Sequence, residues 1–133
     1  MLLPEITGLQ FAGYGKGMVI YMKKIEAIIR PEKIEALKDA LLKNKISGIT
    51  INQVFGCGNQ YGFTEYVRGN TVIMNALPKT EVKMVVPDDK LEEIIDLITS
   101  VACTGEYGDG KIFISEVIDC VRIRTKERGE NAL

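Results

Sequence analysis

One order of elements occurs twice in this chain, and that repetition limits the folds open to it more than any other feature. Lys24 to Arg30 (KIEAIIR) places Ile25, Ala27 and Ile29 on one side of a period-two pattern, as a half-buried strand requires. Pro31 and Glu32 then open a helix whose apolar positions, Ile34, Leu37 and Leu41, recur at three- and four-residue steps, and which ends near Asn44. A second strand follows Ser47-Gly48, alternating through Ile49, Ile51, Gln53 and Phe55 to Gly56. Further on, Val82, Met84 and Val86 alternate, Pro87-Asp88-Asp89 opens a helix, and Leu91, Ile94, Ile95, Ile98 and Val101 form its buried stripe. Lys111 to Ile118 (KIFISEVI) supplies a β-branched fourth strand, and Val121 to Lys126 predicts a short alternating fifth.

Two βαβ units of similar length imply an internal duplication and a four-stranded sheet with both helices on one face. The expected class is therefore α+β, a ferredoxin-like βαββαβ sandwich. Its other face receives Ile28, Val54, Val85, Phe113 and Val117 from the opposite strand phase, and exposing them would be costly, so self-association is expected. Residues 57–77 have no sustained period and form a long loop between the second and third strands. Connections that long are uncommon in compact domains and are often functional, which makes this loop the first place to look for partner binding.

With 133 residues the chain has the size of one domain. Residues 1–21 are broken by Pro4, Gly8, Gly13, Gly15 and Gly17 and read as a flexible extension without a membrane span or signal peptide. Met18 and Met22 offer alternative starts before the first convincing strand. The net charge of −1, from 17 basic and 18 acidic residues, provides no global field to collect nucleic acid. An RNA-binding ferredoxin-like domain also lacks its aromatic strand motif here. No histidine is present, which removes Ser-His-Asp and Cys-His nucleophile systems and imidazole metal sites. Cys57, Cys103 and Cys120 are odd in number, form no C-x-x-C pair, and read as reduced thiols in a cytoplasmic protein.

Thr104 to Lys111 (TGEYGDGK) satisfies the G-x-x-x-x-G-K part of a phosphate-binding loop through Gly105, Gly110 and Lys111. Ile112 then replaces the Ser or Thr that would reach magnesium, and a strand follows where a P-loop needs a helix. On these residues alone, a structural turn and an anion cradle remain equally open. Arg122 and Arg124 add weight to the cradle, because two-residue spacing on a strand would point both guanidinium groups to one side, where a polyphosphate could relieve their repulsion. A solvated basic edge is the alternative that the spacing leaves open.

From Met22 to the C-terminus the chain closely resembles the PII nitrogen-regulatory family. MKKIEAIIRPEKIEAL, ISGIT, VFGCGNQYGFTEYVRG, LPK, VVPDD, ACTGEYGDGKIFI and VRIRT stand in the family's order and at its spacings. The resemblance implies a domain over residues 22–133, a homotrimer with nucleotide sites in the clefts between neighbours, and a long partner-binding loop projecting above each. It implies that adenine and ribose of ATP or ADP contact Ile28, Gly48, Thr50 and Val85, and that the phosphates contact Gly108, Asp109, Gly110, Lys111, Arg122 and Arg124. Backbone at Gly56, Cys57 and Gly58 would close the site.

For the effector 2-oxoglutarate it implies Mg2+ held between the ATP phosphates and Gln60, with Lys79 pairing a carboxylate and Tyr61 and Gly62 completing the pocket. Some positions depart from the family's pattern: Asn59 stands for an arginine near the phosphates, Tyr61 for a lysine, and Lys83 for a glutamate near the nucleotide cleft. Val72 and Asn70 replace the tyrosine and serine modified in some members, so neither modification can occur there. The implied function is a non-enzymatic sensor of nitrogen, carbon and energy status. Its partners would be an ammonium transporter, which would bring it to the membrane periphery, or a nitrogen-assimilation enzyme. A small ATP-hydrolysing or phosphotransfer enzyme built on GEYGDGK is the alternative, although no dedicated base is evident. Slow ATP hydrolysis as a side activity is compatible with either.

Overall fold

The computed structural model describes residues 22–57, 64–67, 70–73 and 76–133, with backbone alone for the two short middle segments. Strand β1, Met22–Ile29, is followed by a 3-10 turn over Pro31–Lys33 and helix α1, Ile34–Lys43. Strand β2 is Ile49–Gly56, and two short strands, β3 (Thr64–Val67) and β4 (Asn70–Ile73), come next. Strand β5 runs Leu77–Pro87, a 3-10 turn covers Asp88–Lys90, helix α2 spans Leu91–Ala102, and β6 is Lys111–Val117.

The four long strands form one sheet in the order β2-β5-β1-β6, with every pairing antiparallel. This is the ferredoxin-like topology that the repeated pattern predicts. Both helices begin after a proline that fixes φ at a first-turn position, Pro31 within its 3-10 turn and Pro87 as the cap of the next. Strand and helix periodicities meet in one core: Ile25, Ala27, Ile29, Val82, Met84 and Val86 from the sheet pack with Leu37, Leu41, Ile94 and Ile98 from the helices. Most of the stripe expected on α2 is present, with Ile94, Ile98 and Ala102 innermost and Leu91, Leu97 and Val101 at its margin, but Ile95 is only half-buried and stands outside the core cluster.

Three features differ from the sequence reading. First, β5 begins at Leu77 rather than Val82, because its early residues pair with β2 as far as Gly56↔Leu77 although Pro78, Lys79, Thr80 and Glu81 lack apolar alternation. Backbone pairing, which apolar pattern does not report, extends this strand. The 57–77 stretch also contains the antiparallel β3-β4 pair.

Second, the helix-free face is not continuously apolar. Ile28, Val54 and Val85 are half-buried there and Phe113 is exposed, but Lys24–Glu26 (3.1 Å) and Lys83–Glu81 (3.5 Å) ion pairs run between them. Third, Val121 to Lys126 is not a strand. Only Val121 and Arg128 bridge, and Lys126 N–H donates to the Arg122 carbonyl at 2.7 Å while Lys126 adopts φ +63°. The V-R-I-R alternation finds no neighbouring strand, so the chain closes on itself, leaving Ile123 95% exposed at the turn.

Candidate functional site

The segment joining α2 to β6 is a ring closed by one side chain. Asp109 accepts hydrogen bonds from the Thr104 amide (2.7 Å), the Gly105 amide (3.0 Å) and the Thr104 hydroxyl. These donors, Thr104 first, together with the Arg30 guanidinium, hold its carboxyl well below the usual carboxylate range. Asp109 thus offers any bound phosphate its backbone, since its carboxylate is already engaged. Gly110 is fixed by sterics as well as conformation: its φ is +101°, and a Cβ there would stand 1.6 Å from the Ile28 carbonyl oxygen.

Two cations tie this ring to the sheet. Arg30, just beyond β1, donates from Nε to Asp109 Oδ1 at 3.0 Å and from Nη2 to the Tyr107 carbonyl at 2.8 Å. Lys79 on β5 donates from Nζ to the Gly108 carbonyl at 2.6 Å, and its stem passes Gly56, where a Cβ would meet Lys79 Cγ at 3.1 Å. Burial, followed by the nearby Arg30 charge, lowers the proton affinity of the Lys79 amine. With Gly56 and Lys111 themselves on opposite edge strands, a chain of contacts therefore runs across one end of the sheet, from Gly56 through Lys79 to Gly108 and Asp109, and from Gly110 and Lys111 to Ile28. A cavity of about 370 Å3 beside them is walled by Ile28, Ile29, Ile98, Ala102 and Ile112, with Asp109, Gly110 and Lys111 at its edge.

The remaining expected residues are not gathered there within one copy. Thr50 and Lys111 lie on opposite edge strands, three strand spacings or about 14 Å apart. Val85 is six residues along β5 from Lys79, about 20 Å at strand rise. Gly48 precedes β2 and is exposed, as is Cys57 just after it. The turn that replaces the fifth strand removes the reason for Arg122 and Arg124 to share a face. Arg122 donates to Glu127 Oε1 (2.9 Å) and the Leu133 carbonyl (3.1 Å), whereas Arg124 is exposed and has no ion-pair partner among the described residues. Gly58, Gln60, Tyr61 and Gly62, with the extension 1–21, lie outside the described residues.

The sequence reading did not single out Arg30, Thr104 or Glu127. Their signals were present but faint: an arginine at the end of an alternating strand before Pro31, and a Thr-Asp pair bracketing a glycine turn.

Residues 22–127 match the family described as "Nitrogen regulatory protein P-II". The chain belongs to the P-II nitrogen regulatory family. Nitrogen regulatory protein P-II 2 of Methanothermobacter thermautotrophicus is 47% identical over 115 residues, which is 86% of this chain and all of that one. Nitrogen regulatory protein P-II of Rhizobium meliloti is 46% identical over 112 residues, 84% of this chain and all of its own. Among solved structures, Arabidopsis thaliana PII bound to citrate aligns with a TM-score of 0.69 at 39% identity, covering 86% of this chain and 94% of that one. The B. subtilis GlnK-ATP complex aligns with a TM-score of 0.70 at 32% identity, covering 85% and 98%. P-II proteins are regulatory rather than enzymatic, and the phosphotransfer reading gains nothing from the geometry, because a strand rather than a helix follows the Gly110-Lys111 turn. Among the described residues of this P-II chain, no helix is long and apolar enough to cross a membrane.

Proposed function

We propose that this P-II chain forms a homotrimer that binds ATP or ADP between neighbouring copies and responds to 2-oxoglutarate by changing which partner it engages. The observation that carries the proposal is the Thr104–Lys111 ring, held rigidly by Asp109 and presenting Gly108, Gly110 and Lys111 at the sheet end. Preorganised backbone N–H groups beside a lysine suit a polyphosphate. The 14 Å spread between Thr50 and Lys111 favours a site completed by a second copy: Ile28, Gly48, Thr50 and Val85 would meet the base and ribose, and Arg122 and Arg124 the phosphates. The solved relative in complex with ATP supports nucleotide as the ligand class.

Mg2+ would sit between the ATP phosphates and Gln60, since one amide oxygen is too poor a ligand to hold it alone. Lys79 would then pair a carboxylate of 2-oxoglutarate, with Tyr61 and Gly62 closing the pocket. Residues 57–77 would carry the partner contact, to an ammonium transporter or a nitrogen-assimilation enzyme, in the ligand state that favours the competent conformer. Any slow ATP hydrolysis is a side reaction.

Calorimetric titration of ATP into the wild type, Lys111→Ala and Arg122→Ala tests the site, with light scattering on the same samples reporting assembly. Each substitution is expected to weaken ATP by about 1–3 kcal/mol, the range for a lost hydrogen bond between charged groups, in a particle of three copies. Unchanged affinity in both, or a folded monomer with full affinity, contradicts the proposal.

A further inference from the structure

We infer that Arg30 is a positioning residue for nucleotide binding: it splints the phosphate-facing ring to the sheet and neutralises the Asp109 carboxylate within it. The inference deepens the nucleotide reading above and rests on it. Glycines at 105, 108 and 110 all hold positive φ, so away from Gly110, which packs on the Ile28 carbonyl, and Gly108, whose carbonyl Lys79 holds, the ring's shape must come from further pins. Internal pins run from Thr104 and Gly105 to Asp109, but they close the ring without fixing it to anything. Arg30 joins it to the end of β1 through two separate ring atoms, Asp109 Oδ1 at 3.0 Å and the Tyr107 carbonyl at 2.8 Å. Its side chain is only 16% exposed and that of Asp109 23%, so the pair is shielded more than an ordinary surface pair.

Charge gives a second consequence. A carboxylate inside a phosphate cradle repels the ligand, and the strong hydrogen bonding of Asp109 keeps it ionised. Arg30 supplies the compensating charge at contact distance, 3.0 Å from Asp109 Oδ1. The planar guanidinium can bond two acceptors at once, which a lysine ammonium at this position would do with less geometric control.

The test is ADP titration into the full chain, because ADP binding does not depend on the effector pocket. Wild type, Arg30→Met, Arg30→Lys, Asp109→Asn and the Arg30→Met/Asp109→Asn double variant are compared, with Lys111→Ala marking the site itself. Arg30→Met is expected to lose about tenfold in ADP affinity, and Arg30→Lys to recover part of it. The double variant should lose far less than the product of the single losses, because both remove one unit. An independent readout is the Lys79 amine, which faces Arg30, Glu32 and Asp109. In Arg30→Met, NMR should find it titrating at higher pH, since a like charge is gone. Should Arg30→Met not fold, Arg30→Lys and Asp109→Asn carry the same comparison. Full ADP affinity in these variants, beside a weakened Lys111→Ala, overturns the inference alone. No ADP binding by the wild type, or none lost in Lys111→Ala, overturns the nucleotide reading and the inference with it.

Discussion

Gly110 shows how much of this site depends on a single missing atom. Its nearest neighbour is the Ile28 carbonyl, 1.6 Å from where a Cβ would stand, and that carbonyl belongs to a central strand that cannot retreat without breaking pairing. Gly110→Ala combines this clash with a φ of +101° and is expected to cost roughly 2–4 kcal/mol in chemical denaturation. Gly48→Ala, with nothing within 4 Å, is the control and should be near neutral. A stable Gly110→Ala would mean that the ring does not pack against β1 as described. The glycine pattern was legible in the sequence as a G-x-x-x-x-G-K fragment, but its reason was not. A motif reports which residues stand in line, whereas the contact between Gly110 and Ile28 joins positions 82 residues apart in the chain. The role of Arg30 is hidden in the sequence for the same reason, since its partners Tyr107 and Asp109 are distant along the chain.

Among the elements, those with an apolar rhythm were legible and those held by backbone pairing or local turns were not. The α2 stripe could be read from spacing, and Ile98 sits at its centre, 1% exposed and packed in the common core. Ile98→Ala should therefore destabilise the fold by about 2–5 kcal/mol, seen as a lower denaturation midpoint with an unchanged slope. A loss under about 1 kcal/mol would place α2 outside the cooperative core. The start of β5 at Leu77 was hidden because Pro78, Lys79 and Thr80 carry no apolar alternation. The reverse holds at Val121–Lys126, where alternation suggests a strand but, among the described residues, no strand pairs with it and the Arg122–Glu127 contacts close a turn. Period-two pattern describes what a strand could bury and is silent about what it pairs with.

At the scale of the molecule, one chain does not gather all the residues of the proposed nucleotide site. The ring and Lys79 stand at one sheet end with Gly56 at the end of β2, Thr50 lies further back along β2 with Gly48 just before that strand, and Arg122 is held by Glu127 and the C-terminal carbonyl. The helix-free face carries charged pairs between its apolar residues, so its association must match charges as well as area. In the proposed site Lys79 would touch both ligand positions: its amine bonds the Gly108 carbonyl of the Thr104–Lys111 ring, and the effector would require that amine. If the nucleotide and 2-oxoglutarate share a magnesium ion that neither Gln60 nor the effector holds alone, the coupling is favourable, and each changes the affinity of the other by the same factor. The most direct test is to titrate 2-oxoglutarate into the protein alone, with ADP, and with Mg-ATP, and to repeat the series with Gln60→Ala. Appreciable binding is expected only with Mg-ATP, and it should be lost in Gln60→Ala while ADP binding persists. Equal 2-oxoglutarate affinity in all three ligand states would contradict the coupling.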